Sequence, residues 1–132
     1  MWRHNRELTE HLRFIEYSCQ DIEDMNFNVN GSVLEKISGV AVILTSGYFG
    51  TWKQIADSLG MSVFYGAQMC SDTKYFIVKF LQKKGVTVTA FGDSMNDYYM
   101  LKQADMAYLI LKKDGTVSSS LKGRDLEGIV YV

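Results

Sequence analysis

The sequence predicts an α/β fold with a mainly parallel sheet, and three observations support this class. Short apolar runs alternate with amphipathic stretches of about ten residues along most of the chain. One run, VAVIL at 40–44, is continuously apolar, which is typical of a parallel strand covered on both faces. Gly60 and Gly85 follow two amphipathic stretches, at the position where glycine commonly ends a helix. Parallel strands joined by helices imply right-handed crossovers.

The first half of the chain contains two predicted helices and two predicted strands. Residues 5–19 have apolar side chains recurring along one helical face, so an amphipathic helix is expected there. The strand at 40–44 precedes a helix that Thr51 would cap and Gly60 would end. A short strand follows at 62–65.

Ser71 or Asp72 is expected to cap the next helix, which Gly85 would end. Its predicted apolar face carries Phe76, Ile77, Phe80 and Leu81. Further strands are predicted at 86–91, 106–111 and 129–132. A helix through Met100, Leu101 and Ala104 connects the first two of these strands.

The length of 132 residues predicts a single domain, 1–132. Residues 1–20 would form an N-terminal helix, 24–111 the core, and 112–132 a polar loop with the last strand. Within that loop, 115–125 is polar and contains glycine, so it is expected to be the least ordered part of the chain.

Composition excludes several classes of protein. The net charge of −1 provides no basic field for nucleic acid or for an anionic membrane. No apolar run reaches the roughly 18–20 residues of a membrane span, and the charged N-terminus does not have the apolar segment of a signal peptide. Cys19 and Cys70 form neither a CxxC motif nor a metal-ligand pattern, so reduced thiols and a cytoplasmic location are expected.

Ligands of such sheets bind at the loops that leave the carboxyl ends of the strands. The loop GDSMND places Asp93 and Asp97 four residues apart after a predicted strand. Two carboxylates at a strand end suit Mg²⁺, which takes one or two protein carboxylates and keeps several waters. A structural interpretation stays open, with Asp97 a helix-start residue favoured by the helix dipole and Asp93 a turn residue.

A second loop and a lysine have the character of an anion site. Ser46 and Gly47, in TSG after the strand at 40–44, offer a hydroxyl and backbone N–H groups near a helix start, with Thr45 as the alternative hydroxyl. Lys74 lies near the start of its helix, where the dipole disfavours a cation and a bound phosphate would offset that cost. The competing interpretations are ordinary loop residues and a solvated surface lysine.

Together these motifs resemble the haloacid dehalogenase-like phosphohydrolases. Within that family, the sequence is most similar in character to small capless relatives of the P-type ATPase catalytic domain. GDSMNDYYMLKQAD is similar to the family's fourth motif, ILTSGYFG to its second, and Lys74 stands where its third is expected. The stretch FNVNGSV is similar to its first motif, D-x-D-G-[TS]-[LV]. The resemblance covers residues 24 to 111 and implies a three-layer Rossmann-like fold.

On that resemblance Asn28 occupies the position of the nucleophile and Asn30 that of the acid/base. It also implies that Ser46 and Lys74 serve catalysis, that Ser46, Gly47 and Lys74 bind phosphate, and that Asp93, Asp97 and Asn28 bind the metal. An amide is a poor nucleophile and has no proton to exchange near neutral pH. Two of four expected acidic groups are lost, so Mg²⁺ should bind weakly.

The connection after the first motif is also short. Nine residues, Gly31 to Gly39, separate the two motif strands, which is too few for the flap or cap that the family places there. The first hypothesis is therefore a pseudoenzyme, a phosphatase-like domain acting as a binding or regulatory module. The alternatives are an active Mg²⁺-dependent phosphatase of phosphate monoesters, an engineered Asp-to-Asn trap of one, and an α/β subunit of a larger assembly. A phosphorylated small molecule, a protein partner and a homo-oligomer all stay open as partners.

Overall fold

A computed structural model of the chain describes residues 30–47, 49–66 and 69–132. The helix predicted at 5–19 and the strand expected before Asn28 lie outside these residues. The chain divides into two compact units, and each has its own parallel sheet. The first contains Asn30 and residues 36–69, and the second contains Gly31–Glu35 and Cys70–Val132.

The crossover after Asn30 forms a single helical turn. Helix α1 spans Gly31–Leu34, and the Glu35 N–H donates to the Gly31 carbonyl at 3.0 Å. The first unit continues with strand β1 (Val42–Thr45), helix α2 (Phe49–Leu59) and strand β2 (Ser62–Tyr65). β1 and β2 are parallel, as predicted for consecutive strands joined by a helix.

The strand predicted at 40–44 is displaced and is less covered than its composition indicates. β1 begins at Val42 and extends through Thr45. Val40 is 93% exposed and Val42 43% exposed, so the prediction of a strand covered on both faces is wrong for its first half. Only the carboxyl end of β1 is buried, at Thr45.

Helix α2 ends as predicted but begins earlier. Gly60 has φ +69°, and the Met61 N–H donates to the Ala56 carbonyl at 2.8 Å. This is the 6→1 bond of a Schellman motif, which requires the left-handed conformation that glycine adopts without strain. The predicted capping role of Thr51 is wrong, because the helix begins at Phe49 and Thr51 lies inside its first turn.

The second unit is built on a three-stranded sheet. After α1 come helix α3 (Ser71–Lys83), strand β3 (Thr89–Gly92), helix α4 (Tyr98–Gln103), strand β4 (Met106–Leu109) and strand β5 (Val130–Tyr131). β4 pairs in parallel with both β3 and β5. Every strand pair among the described residues is parallel, which confirms the predicted α/β class.

Helix α3 corrects one prediction and confirms another. Its N-cap residue is Cys70, whose side chain makes no capping hydrogen bond, so Ser71 and Asp72 are the first helical residues. Its end is as predicted, since Gly85 has φ +84° and the Val86 N–H donates to the Leu81 carbonyl at 3.1 Å.

The buried face of α3 differs from the predicted apolar face. Lys74 and Val78 are the buried residues of this helix, whereas Phe76 is 62% exposed and Phe80 59% exposed. α3 packs chiefly against α4, and that contact selects which face is covered. Lysine is rarely buried unless its charge is paired, so the burial of Lys74 in place of a phenylalanine indicates a polar contact on this face.

The core of the second unit lies between α4 and the sheet. Its most buried apolar side chains are Ala90, Met100, Leu101, Ala107, Leu109 and Leu121. Leu121 is 2% exposed and ends a 3-10 helix, Ser119–Leu121, so the segment predicted to be least ordered contains regular structure and a core residue. No helix in the described part of the chain is long and apolar enough to cross a membrane.

Candidate functional site

The loop after β3 carries the two aspartates that the sequence singled out. β3 ends at Gly92, Asp93 follows, and a 3-10 helix, Met95–Asp97, leads into α4. Asp97 is 7% exposed, whereas Asp93 is exposed. The two carboxylates therefore have different environments although they lie only four residues apart.

Lys74 and Asp97 form a buried ion pair. The Lys74 Nζ donates to Asp97 Oδ1 at 2.8 Å, and the two side chains are 11% and 10% exposed. That distance is typical of a charge-assisted hydrogen bond. Helix α3 delivers the lysine to a loop 23 residues further along the chain. The solvated-lysine interpretation is therefore wrong, and the ion pair brings together two of the predicted site residues.

The second oxygen of Asp97 is also engaged. The Asp93 N–H donates to Asp97 Oδ2 at 3.0 Å, which ties the aspartate back to the loop in front of it. Buried charges are stable only when they are paired and hydrogen-bonded, and Asp97 meets both conditions. Asp97 thus organises the loop and holds the lysine with the same carboxylate.

Gly92 makes this arrangement possible. A Cβ atom at position 92 would lie 2.3 Å from Asp97 Cβ and 2.6 Å from its Cγ. No side chain fits there, so the glycine before Asp93 is required by the close approach of Asp97. The motif pattern alone does not reveal this role of Gly92. A glycine at the end of a strand is a known signal for such an approach.

The loop after β1, in the other compact unit, has a different internal arrangement. Thr45 Oγ1 accepts a hydrogen bond from the Gly47 N–H at 2.9 Å, and both residues are buried. Ser46, between them, is half-buried. The Gly47 N–H is already occupied, so it would reach an anion only after leaving Thr45. Ser46 carries the more accessible hydroxyl, and its phosphate-binding role stays a prediction.

Of the two first-motif asparagines, the structure describes only Asn30. Asn28 lies outside the described residues. Asn30 is exposed and immediately precedes α1. Their nucleophile and acid/base positions rest on the sequence resemblance and stay predictions.

The described residues contain no group of three or more His, Cys, Asp or Glu side chains that could hold a metal ion. Each oxygen of Asp97 already accepts one hydrogen bond and keeps a further lone pair, so Asp97 would coordinate a metal alongside Lys74 and the Asp93 N–H. Lys74 neutralises Asp97, which leaves Asp93 as the more available carboxylate of this loop.

The comparisons with known proteins agree with the motifs in this part of the chain. Residues 72–120 match the model of a family described as haloacid dehalogenase-like hydrolase. The matched segment contains Lys74, Asp93 and Asp97, whereas Asn28, Asn30 and Ser46 lie before it. The comparisons with curated proteins and with solved structures gave no match.

Proposed function

We propose that the chain is a haloacid dehalogenase-like hydrolase domain, which the match of residues 72–120 supports, and that it binds a phosphoryl group without hydrolysing it. Two features support the proposal. The lysine–aspartate pair is formed, whereas the first motif has no reactive group. It makes the protein a binding or regulatory module.

The Lys74–Asp97 ion pair is the observation that carries the binding half of the proposal. An ammonium group buried at the base of a strand-end loop is held by one carboxylate and has two further N–H donors. A phosphoryl oxygen that approached Lys74 would meet a cation in a poorly solvated place, where electrostatic attraction is stronger than in water. The pair also fixes the lysine, so little side-chain entropy is lost on binding.

The asparagines support the absence of hydrolysis. In the family the first aspartate attacks phosphorus, and the second protonates the leaving group and then activates water. The lone pair of the Asn28 amide nitrogen is delocalised into its carbonyl, so it is a poor nucleophile. Asn30 has no proton to exchange near neutral pH, so general acid–base catalysis, typically about 10²–10⁴-fold, is lost.

The short crossover supports the same conclusion. Helix α1 is four residues long, and β1 begins at Val42, so the segment after the first motif has no length for a flap. A flap would exclude water and strengthen the electrostatic stabilisation of a transition state. A binding module does not need that enclosure.

Mg²⁺ has a minor role in this proposal. When bound in the family, the ion screens the negative charge of the phosphoryl group. Asp93, which is exposed, and Asp97 are the described carboxylates that would hold it, and weakly. Lys74 supplies its two further N–H donors whether or not the ion is present.

The first test is phosphate release from a panel of phosphomonoesters with Mg²⁺. The unaltered chain is compared with its Asn28→Asp/Asn30→Asp double variant. We expect no release by the unaltered chain and measurable release by the double variant. Release by the unaltered chain would contradict the proposal and favour an active phosphatase. Inactivity of both would mean that the first motif is misassigned or that the short crossover prevents catalysis.

A titration with inorganic phosphate tests binding separately. We expect saturable changes in the amide chemical shifts of Lys74 and of residues 93–97. Val88 and Asp105, at the other end of the same sheet, should not change and serve as the internal control. Uniform small shifts throughout the chain would indicate a salt effect and would count against a phosphate site.

A further inference from the structure

The loop that carries Asp93 and Asp97, here called the acidic loop, is held by a second part of the chain, residues 118–127. The Met95 N–H donates to Ser120 Oγ at 3.0 Å across 25 positions of sequence. From the sequence, the serines at 118–120 belong to the polar segment 115–125 that is expected to be the least ordered. In the structure one of these hydroxyls is a partner of the acidic loop.

The hydrogen bond from Met95 meets a need of the 3-10 helix. The first N–H groups of a helix have no partner inside it and are commonly satisfied by the side chain of the N-cap residue. Ser94 is the N-cap residue here, and its side chain makes no capping hydrogen bond. Ser120 supplies the acceptor for Met95 from a distant segment.

Ser120 is itself fixed in place by its neighbours. The Ser120 N–H donates to Ser118 Oγ at 3.4 Å, and the two hydroxyl oxygens lie 2.9 Å apart. Leu121, the next residue, is 2% exposed and anchors the turn in the core. Ser120 is exposed, and its position is set by Ser118 and by the buried Leu121 beside it.

The rest of residues 118–127 is fastened to α4, the helix that follows the acidic loop. The Tyr98 hydroxyl donates to the Asp125 carbonyl at 3.0 Å, and the Arg124 guanidinium lies 5.8 Å from the centre of the Tyr98 ring. The Lys102 Nζ donates to the Glu127 carbonyl at 3.3 Å. These contacts begin directly after Asp97, so the segment spans both the loop and its continuation.

We infer that Ser120 is a positioning residue for the acidic loop, acting through the Met95 N–H to hold the turn that carries Asp97. Without that acceptor the turn opens more often, and the Asp97 carboxylate leaves the Asp93 N–H and Lys74 more often. The functional part of this inference rests on the proposed phosphoryl binding. The geometric part stands on the hydrogen bonds alone.

The geometric part is tested by amide hydrogen exchange in three variants of the full chain. Ser120→Ala removes the acceptor, Ser120→Thr keeps a hydroxyl, and Ser119→Ala is the control in the same exposed 3-10 helix. We expect Ser120→Ala to speed exchange at Met95 about fivefold, as for the loss of one ordinary hydrogen bond, and to speed exchange at Asp93 by less. The other two variants should match the unaltered chain. Unchanged exchange at Met95 in Ser120→Ala would overturn the inference, and so would equal acceleration in Ser119→Ala.

The functional part is tested with inorganic phosphate as the probe. We expect Ser120→Ala to weaken phosphate binding about fivefold and Ser120→Thr to restore it, with the thermal midpoint of unfolding nearly unchanged in both. If the unaltered chain binds no phosphate, the proposed function fails and the exchange result alone decides the role of Ser120. If phosphate binds equally well to all variants, the proposed function survives and the positioning role in binding is refuted.

Discussion

Two threonines of the first unit are equally buried and differ only in their hydrogen bonding. Thr45 and Thr51 are each 8% exposed. Thr45 Oγ1 accepts from the Gly47 N–H at 2.9 Å. Thr51 Oγ1 is the one buried side-chain nitrogen or oxygen atom among the described residues without a hydrogen-bond partner. A buried polar group without a partner costs free energy that a methyl group of the same size does not.

We therefore expect opposite effects from the same substitution at these two positions. Thr51→Val should raise the free energy of unfolding by about 1 kcal/mol, because it removes an unsatisfied hydroxyl at nearly constant volume. Thr45→Val should lower it by about 1–2 kcal/mol, because it leaves the buried Gly47 N–H without its acceptor. Urea denaturation measures both. A loss of stability in Thr51→Val would mean that its hydroxyl has a hydrogen-bond partner.

At the scale of elements, the Lys74–Asp97 pair joins α3 to the acidic loop. Breaking a buried ion pair by removing one partner is costly because the other charge stays buried without compensation. Lys53 and Asp57 of α2 form the natural comparison. Their side chains are 50% and 59% exposed and they lie four residues apart on one helix.

We expect Lys74→Met to lower the free energy of unfolding by about 3–5 kcal/mol. Lys53→Met should change it by less than about 0.5 kcal/mol, because water screens an exposed pair. The double variant Lys74→Met/Asp97→Asn should recover part of the loss, since no unpaired charge is then buried and the new amide oxygen can still accept from the Asp93 N–H. Urea denaturation of the three variants gives these values. Equal effects at Lys74 and Lys53 would show that the buried pair contributes no more than a surface pair.

The helix ends could be predicted from sequence because their cause is local. Gly60 and Gly85 are needed for left-handed conformations that other residues adopt only with strain, and both occupy them. The predicted capping roles of Thr51 and of Ser71 or Asp72 were wrong. Serine and threonine are common inside the first turn as well as at the cap, so their presence alone does not mark where a helix begins.

The covered face of α3 could not be predicted because its cause is not local. Phe76 and Phe80 have the spacing of a core-facing stripe, yet α3 packs through Lys74 and Val78. Hydrophobic periodicity identifies the helix but not which neighbour it will meet. The functional importance of Lys74 came instead from the motif resemblance. The contact of Ser120 with Met95 could not be predicted for the same reason as the buried face of α3, because the two residues lie 25 positions apart in sequence.

At the scale of the whole molecule, three aspartates make stability dependent on pH. A hydrogen bond from the Val88 N–H, followed by one from Gln82, holds the pKa of Asp105 below the ordinary value of 3.8. Hydrogen bonds from Thr116 lower the pKa of Asp114 in the same way. The Glu127 N–H and then Lys102 lower the pKa of Asp125. All three stabilise connections of the second unit, and Asp105 joins the start of β3 to the start of β4.

We expect the chain to lose stability in acid through these groups. Each pKa is lower in the folded chain than in the unfolded chain, so the folded state binds fewer protons and the free energy of unfolding rises with pH in this range. The contribution is fully present well above pH 3.8 and is lost as pH falls below 3.8 through the folded pKa. The Asp105→Ala variant should therefore be less stable than the unaltered chain at pH 7, and the difference should shrink between pH 5 and pH 3. Urea midpoints at these pH values measure it, with salt held constant. A difference that is the same at pH 7 and at pH 3 would show that the Asp105 carboxylate does not need its charge to hold the Val88 N–H.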